Sequence, residues 1–185
     1  KMTVIHPSDD LSAEELTTQL IDLQGPSYMR TARNKTPRIY NVENVQKIRL
    51  GRGSILKGGN DVAIIACGVM VYEALIAAER LSEEGLNCTV VDMHTIKPLD
   101  VKLIDELANS CGCFVTAEDH SIIGGLGSAV SEWLSSNRPC PVEMVGVMDR
   151  FGESGSTTEL MKELGLTSET IEASARKAIQ RKSIG

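Results

Sequence analysis

The stretch DVAIIACGVMVYEALIAAERLSEEGLNCTVVD, residues 61–92, contains the pattern that decides the fold. The unbroken apolar run 62–67 is typical of a strand that is buried on both faces. Apolar residues then recur at helical spacing between 71 and 81, and Gly85 follows where a left-handed residue would end a helix. A second apolar run, 88–91, predicts the next strand. The order strand, helix, strand indicates a parallel βαβ unit.

The same alternation continues to the C-terminus. Further strands are predicted at 113–117 and 142–147, and further helices at 100–107, 125–134, 156–163 and from Thr167 onward. Side chains that can cap a helix stand at Asp100, Ser156 and Thr167. Strands that alternate with helices predict an α/β fold with a doubly wound, mostly parallel open sheet. Ligand sites in such folds lie beyond the carboxyl ends of the strands.

A short N-terminal extension precedes this pattern. Residues 2–5 form a short apolar run, and Ser12 with Glu15 predicts a capping box that opens a helix over 16–23. One strand and one helix cannot bury a core alone. We therefore expect residues 1–33 to be the tail of a domain whose body precedes Lys1.

Three segments follow from these patterns. Residues 1–33 are the tail just described. Residues 34–60 contain short strand-like pieces among turn residues, which predicts a linker with one or two small hairpins. Residues 61–185 are the predicted α/β domain.

Composition excludes several classes of function. The net charge of -6 disfavours non-specific binding to nucleic acid or to an anionic membrane. No apolar run reaches the roughly 18 residues of a membrane span, and the N-terminus does not have the pattern of a signal peptide. The five cysteines match no zinc pattern, because Cys111 and Cys113 are not accompanied by a second pair or a nearby histidine. They predict reduced, mostly buried thiols in a cytoplasmic protein.

The stretch TAEDHSIIGGLGSAV, residues 116–130, combines ionisable side chains with a glycine-rich turn. A carboxylate beside His120 could orient the imidazole, but no nucleophile is tied to this histidine by a known motif, so a hydrolase is disfavoured. The turn 124–127 could offer backbone N–H groups to a phosphate. It matches neither of the usual glycine-rich phosphate motifs, so the favoured interpretation is a turn that packs closely.

Several stretches, in the same order, resemble transketolases. MTVIHPSD and GPSYMR are similar to the end of the pyrimidine-binding middle domain of that family. The C-terminal domain of the family is matched by LKGGNDVAIIACGVMVYEALIAAERL, VVDMHTIKPLD, VTAEDHSIIGGLGSAV and DRFGESGS. Asp119 departs from the family, which commonly has Glu-Glu-His at these positions, but a carboxylate is kept.

The resemblance implies the C-terminal section of a thiamine-diphosphate-dependent transketolase. Such enzymes transfer a two-carbon ketol unit between sugar phosphates, as in the pentose phosphate pathway. The family holds thiamine diphosphate and Mg²⁺ on its other domains, so the resemblance implies no catalytic, cofactor-binding or metal-binding residue in this chain. The fragment is expected to be structural and inactive alone.

Site residues follow from the same resemblance. Arg30 matches an arginine that holds the sugar phosphate, and Arg33 is expected to assist. A guanidinium suits this role because it forks onto two phosphate oxygens. The remaining positions are expected to shape a domain or subunit interface: Glu118, Asp119, His120, Gly124 and Gly125.

The expected partners are an N-terminal transketolase section and a second copy of the chain, giving a homodimer. Two alternatives stay open. One is a fragment of a related enzyme, either 1-deoxy-D-xylulose-5-phosphate synthase or the beta subunit of a 2-oxoacid dehydrogenase. The other is a regulatory or assembly module that performs no chemistry.

Overall fold

A computed structural model describes residues 1–184, which fold into two sheets flanked by helices. In chain order the elements are β1 (Thr3–Ile5), α1 (Asp10–Ile21), β2 (Ser27–Met29), β3 (Ser54–Lys57), β4 (Val62–Ala66), α2 (Met70–Glu83), β5 (Cys88–Asp92), β6 (Thr95–Lys97), α3 (Val101–Ser110), β7 (Phe114–Ser121), α4 (Leu126–Asn137), β8 (Val142–Val147), α5 (Thr157–Glu163) and α6 (Ser168–Ile184). None of these helices combines the length and apolar character that a membrane span requires.

The larger sheet has five strands in the order β3-β5-β4-β7-β8. The strands β5, β4, β7 and β8 are parallel to one another, and β3 pairs antiparallel with β5 at the edge. This arrangement confirms the predicted doubly wound, mostly parallel sheet. The carboxyl ends of β4, β5, β7 and β8 therefore meet at one edge, where the candidate site lies.

Two helical layers cover this sheet. Alternate residues of β4 explain the arrangement, since successive side chains of a strand point to opposite faces. Ile64 packs in a core with α2 and α6, whereas Ile65 packs in a separate core with α3 and α4. All of β4 is buried, as its continuous apolar run predicts. Gly85, with φ +84, occupies the predicted left-handed position after α2.

The smaller sheet has the order β2-β1-β6. β1 and β2 are parallel and are connected by α1, whereas β6 pairs antiparallel with β1. β6 begins only a few residues after β5, so the α/β part of the chain contributes a strand to the N-terminal sheet. Leu16 of α1 packs with Ile5 of β1 and Tyr40 in a third core. The N-terminal extension is thus joined to the rest by both backbone pairing and apolar packing.

The predicted start of α1 was wrong by several residues. Asp9, and not Ser12, is the N-cap: its carboxylate accepts a hydrogen bond from the Ser12 amide at 2.8 Å. Ser12 Oγ in turn accepts from the Asp9 amide at 3.0 Å. The other Asp9 oxygen accepts from the amides of Ile39 and Tyr40, so a distant segment helps to hold the cap.

Residues 34–60 differ from the expected hairpins. Val45–Lys47 forms a single 3₁₀ turn. β3 pairs with β5 of the large sheet, with Ile55 opposite Val91, and not with a neighbouring strand. Residues 38–40 form no strand, because the Asp9 carboxylate takes the amide hydrogens that a strand partner would otherwise accept.

Candidate functional site

β7 extends further than the sequence predicted. The apolar run suggested an end at 117, but the strand continues to Ser121, with a shift in its pairing to β8 between Ala117 and Ser121. Glu118, Asp119 and His120 therefore lie within the strand. Alternation places Glu118 and His120 on one side and Asp119 on the other.

Glu118 is fully buried and bonds the start of α4. Its two oxygens accept hydrogen bonds from the backbone amides of Leu126 at 2.6 Å and Gly127 at 2.8 Å. His120 Nε2 lies 2.6 Å from the carboxylate oxygen Oε2. The amides that could have held a phosphate thus hold an internal carboxylate. This anion also satisfies the unpaired N–H groups that begin a helix.

The glycine turn is required by this close packing. Gly124 has φ +75, a left-handed conformation that glycine adopts without strain. A side chain on Gly125 would meet the Glu118 carboxylate and approach the Ser121 carbonyl oxygen to 2.8 Å. The geometry agrees with the interpretation of this segment as a closely packed turn.

Arg30 and Asp119 form a forked ion pair. Arg30 Nη1 donates to Asp119 Oδ1 at 2.6 Å, and Nη2 donates to Oδ2 at 2.9 Å. Burial is the largest influence and opposes ionisation of Asp119, but the hydrogen bonds and charge of Arg30, together with His6 and His120, outweigh it and hold the pKa of the carboxyl below its usual value. The same hydrogen bonds raise the pKa of Arg30. Both side chains are therefore charged at neutral pH.

His6 also belongs to this cluster, although the sequence did not single it out. It follows β1 directly, and its ring is buried, which lowers its pKa to about 4. Arg30 Nη1 lies 3.0 Å from His6 Nε2. Arginine can only donate, so Nε2 accepts and the ring is neutral. The signal that could have identified His6 is its place just after the first apolar run, at a strand end.

An open cleft of about 890 Å³ lies beside the Arg30–Asp119 pair. It is bounded by residues 30–37 on one side and by Tyr72 and α5 on the other. Arg33 and Lys35 are exposed there and make no ion pair or side-chain hydrogen bond within residues 1–184. Asp119 neutralises Arg30, and Glu73 also lines the cleft, so its three cations and two anions leave a net charge of +1.

A second buried polar group joins the N-terminal extension to the domain. Asp92, at the end of β5, accepts hydrogen bonds from Ser8 Oγ at 2.7 Å and Tyr40 Oη at 2.9 Å, both on its oxygen Oδ2. Its other oxygen is buried without a partner. Burial raises the pKa of Asp92 to about 7. Its charge is thus sensitive to pH near neutrality.

The donor atoms of this chain do not fit Mg²⁺. Among residues 1–184, the group of three metal-ligating side chains that lie together is His6, Cys67 and His120. It offers two imidazoles and a thiol, whereas Mg²⁺ takes oxygen ligands. No reaction step at a magnesium-bound diphosphate follows from these residues.

Large apolar side chains are exposed on loops at the same edge of the sheet. Ile123, after β7, is 66% exposed. Met148 and Phe151, after β8, are 64% and 97% exposed. These three side chains leave apolar surface exposed at the edge where the cleft opens.

Comparison with known proteins matches the sequence and the fold to one family. The family profile described as "Transketolase, C-terminal domain" matches residues 51–171. The 6-deoxy-6-sulfo-D-fructose transketolase subunit SqwH of Clostridium sp. (strain MSTE9) is 42% identical over 182 residues, which are 98% of this chain and 56% of that protein. The putative transketolase C-terminal section of Methanocaldococcus jannaschii is 42% identical over 171 residues, covering 92% of this chain and 53% of that protein.

Other relatives are longer enzymes. The 1-deoxy-D-xylulose-5-phosphate synthase 1 of Geobacter sulfurreducens is 36% identical over 174 residues, which are 93% of this chain and 27% of the synthase. The chain thus spans little more than half the length of the transketolase subunits that it matches, and about a quarter of the synthase.

Solved structures agree with this relationship. A protein described as "Split gene transketolase, inactive beta4 tetramer" superimposes with a TM-score of 0.92 at 43% identity, covering 98% of this chain and 59% of that one. A transketolase from Pichia stipitis superimposes with a TM-score of 0.72 at 20% identity, which shows the shared fold alone. The chain belongs to the transketolase C-terminal domain family.

Proposed function

We propose that this chain is the C-terminal portion of a thiamine-diphosphate-dependent transketolase, which transfers a two-carbon ketol unit between sugar phosphates. The observation that carries the proposal is the cationic cleft at the carboxyl edge of the sheet, in a chain of this family. Arg33 and Lys35 leave positive charge there without an internal partner. A sugar phosphate, with about two negative charges near neutral pH, matches that charge.

Arg33 is the better candidate for the first phosphate contact. The resemblance to transketolases assigns this role mainly to Arg30, but the fork of the Arg30 guanidinium already lies on both oxygens of Asp119. A phosphate would have to compete with that carboxylate. Arg33 is exposed in the cleft three residues further on, and its fork is free within residues 1–184. Arg30 then fixes the start of the segment that presents Arg33.

The chain's own residues bind and orient the substrate in this proposal. Thiamine diphosphate, when bound, supplies the electron sink for carbon–carbon bond cleavage and formation. Because residues 1–184 offer no set of oxygen ligands suited to Mg²⁺, we place the cofactor on an N-terminal partner section. A remote phosphate grip contributes by holding the sugar so that its reacting carbon meets that cofactor.

A partner section is also supported by the exposed apolar loops. Ile123, Met148 and Phe151 lie at the edge where the cleft opens. The relatives from Clostridium and from Phocaeicola vulgatus are named as transketolase subunits. A structure similar to this chain is described as an inactive tetramer. We therefore propose that this chain self-associates when alone and is inactive until an N-terminal section is added.

The test of the function is reconstitution followed by substitution of Arg33. The chain is mixed with the N-terminal section from the same source, and ketol transfer is measured with a phosphorylated and a non-phosphorylated acceptor. Losing one charge-assisted hydrogen bond costs roughly 1.5–3 kcal/mol, so Arg33→Ala should lower kcat/KM for the phosphorylated acceptor about 10- to 150-fold. The non-phosphorylated acceptor should be almost unaffected.

Arg138→Ala is the matched control. Arg138 is an exposed arginine outside the cleft, and it donates a hydrogen bond to Asp105. Arg138→Ala therefore removes one positive charge from the chain without changing the cleft. Equal losses on both acceptors for Arg33→Ala would assign Arg33 a structural role. Absence of ketol transfer in every reconstituted mixture would refute the proposed function itself.

The synthase alternative is favoured by one observation, the identity of 33–39% to several 1-deoxy-D-xylulose-5-phosphate synthases. Both transketolase pieces from Clostridium and Methanocaldococcus are more similar, at 42%. The reconstituted protein should be assayed for both products. Formation of deoxyxylulose phosphate without ketol transfer would select the synthase.

A further inference from the structure

A group of three potential metal ligands lies behind the Arg30–Asp119 pair. His6, Cys67 and His120 each offer one ligand atom, and these three atoms lie within 4.8 Å of one another. The residues follow or belong to β1, β4 and β7, so separate parts of the chain meet here at the carboxyl ends of their strands. The proposed ketol transfer uses none of the three side chains.

His120 is oriented as a metal ligand would be. Glu118 Oε2 lies 2.6 Å from His120 Nε2 and accepts its hydrogen, because both Glu118 oxygens already accept backbone amides. The lone pair of the ring is therefore on Nδ1. That atom is buried and has no hydrogen-bond partner within residues 1–184. A carboxylate that fixes the tautomer of a histidine is the usual outer shell of a metal-bound imidazole.

The other two donors are buried and uncharged. The side chain of His6 is only 2% exposed, and burial lowers its pKa to about 4, so a lone pair is available at neutral pH. Cys67 is fully buried, which raises the pKa of its thiol. His120 is the partly exposed member, at 28%, although its Nδ1 atom is buried. The three donors are therefore gathered in one place, largely shielded from water.

We propose that His6, Cys67 and His120 bind a borderline divalent cation of the Zn²⁺ class. Two imidazoles and a thiolate form a ligand set that binds Zn²⁺ in preference to Mg²⁺ or Ca²⁺. A water molecule would complete the four-coordinate site, as in zinc sites that have three protein ligands. Zinc bond lengths set tetrahedral ligand atoms roughly 3.3–3.7 Å apart. The three donors, which lie within 4.8 Å of one another, must therefore approach by up to about 1 Å to bind the ion.

Binding requires one proton to leave. The Cys67 S–H bond breaks, the sulfur keeps the electron pair and bonds to the cation, and the proton passes to the buffer. His6 and His120 coordinate through the lone pairs of their ring nitrogens. Since one thiol proton is exchanged for the cation, binding should tighten as the pH rises.

Arg30 competes with the cation. Its Nη1 lies 3.0 Å from His6 Nε2, so it occupies one donor atom of the group. The guanidinium is partly exposed and can move aside. Removing it should therefore tighten metal binding, whereas a purely structural cluster would only be weakened by the same change.

The test is titration of the full chain, freed of metal by a chelator, with Zn²⁺ against a chelating dye. Co²⁺ is then used as a spectroscopic probe. We expect one equivalent of Zn²⁺ and, with Co²⁺, a thiolate-to-metal charge-transfer band. Cys67→Ser should remove that band, and His120→Ala should weaken binding of both ions. Glu118→Gln should weaken it about 10- to 100-fold, the usual cost of an outer-shell change.

The chain offers matched controls. Cys140→Ser removes a half-buried thiol outside the group, and His94→Asn removes the one histidine of the chain that is not in it. Both should leave the affinity unchanged, and far-UV circular dichroism should show every variant folded. Absence of stoichiometric binding, or binding that Cys67→Ser and His120→Ala leave unchanged, would overturn the proposal. Weaker binding in a folded Arg30→Ala variant would also overturn it.

Discussion

Arg30 and Asp119 lie 89 positions apart in the sequence and are joined by a hydrogen bond to each carboxylate oxygen, at 2.6 and 2.9 Å. The pair connects the segment after β2, in the small sheet, to β7 of the large sheet. The pair therefore links the small sheet to the large sheet at the edge where the cleft opens.

A double-mutant cycle should measure this connection. We expect a coupling free energy of about 1 kcal/mol between Arg30→Gln and Asp119→Asn, because the pair is forked but partly exposed to screening by water. Denaturant unfolding of the four proteins near neutral pH gives the value. Strictly additive effects would mean that the pair contributes nothing to stability.

The coupling should also depend on pH. The pKa of Asp119 is lower in the folded chain than its ordinary value of 3.8. Its contribution is therefore complete above about pH 4 and is lost as the pH falls through the folded pKa. The difference in unfolding free energy between wild type and Asp119→Asn should shrink over that acidic range.

Removal of the Glu118 carboxylate should destabilise the chain strongly. Glu118→Ala leaves the amides of Leu126 and Gly127 and the His120 ring without their buried acceptor. We expect a loss of roughly 3–5 kcal/mol, the range for removing one partner of a buried polar pair. Urea unfolding measures it. A loss below about 1 kcal/mol would show that water replaces the carboxylate without cost.

Gly125→Ala should destabilise the chain through the same contact. The added methyl group meets the Glu118 carboxylate and the Ser121 carbonyl oxygen. Gly152→Ala is the matched control, because a side chain there meets nothing within 4 Å. The melting temperature should fall for Gly125→Ala and stay nearly constant for Gly152→Ala. Equal melting temperatures would remove the packing explanation for the glycine turn.

Asp92 should make stability depend on pH between about 4 and 7. Its folded pKa is about 7, against an ordinary value of 3.8. The protonated form is thus favoured by folding, so its contribution is complete below about pH 4 and is lost as the pH rises to about 7. Since 1.36 kcal/mol corresponds to one pKa unit, the effect is on the order of 4 kcal/mol.

The measurement compares wild type with Asp92→Asn, whose amide oxygen can still accept from Ser8 and Tyr40. The variant should gain stability relative to wild type as the pH rises over this range. The comparison with Asp92→Asn is needed because burial lowers the pKa of His6 and His94 to about 4, and these two groups make stability rise as the pH rises. A difference that does not change with pH would contradict the prediction.

The thiols should differ in reactivity. All five cysteines are unpaired, and four of them are buried, whereas Cys140 is half-buried. Burial raises the pKa of Cys88 and Cys113 to about 11, so these are protonated at neutral pH. A thiol reagent should modify Cys140 first in the native chain and about five thiols after unfolding. Fewer than five in the unfolded, non-reduced chain would indicate a disulfide.

Patterns within one element predicted the fold well. The apolar run 62–67 became β4, the run 142–147 became β8, and Asp100 caps α3 by accepting from the Leu103 amide. These features depend on neighbours in sequence, which hydrophobic periodicity and capping rules describe. The resemblance to transketolases predicted the family, which the comparisons confirm.

The site depended on contacts that local patterns do not contain. Nothing near Arg30 in the sequence indicates that Asp119 would take its guanidinium, or that His6 would lie beside both. The misplaced cap of α1 has the same origin, since Asp9 is held partly by the amides of Ile39 and Tyr40. Roles set by distant partners needed the folded structure.

β6 has a consequence for how this polypeptide can be divided. It leaves the large sheet directly after β5 and completes the small one, beside β1. A truncation that removed residues 1–33 would remove β1, the strand that pairs with β6, and would take the Ser8 hydroxyl from Asp92. The smallest unit that can be moved into another protein with its strand pairing kept therefore includes β1 and α1 together with the α/β domain.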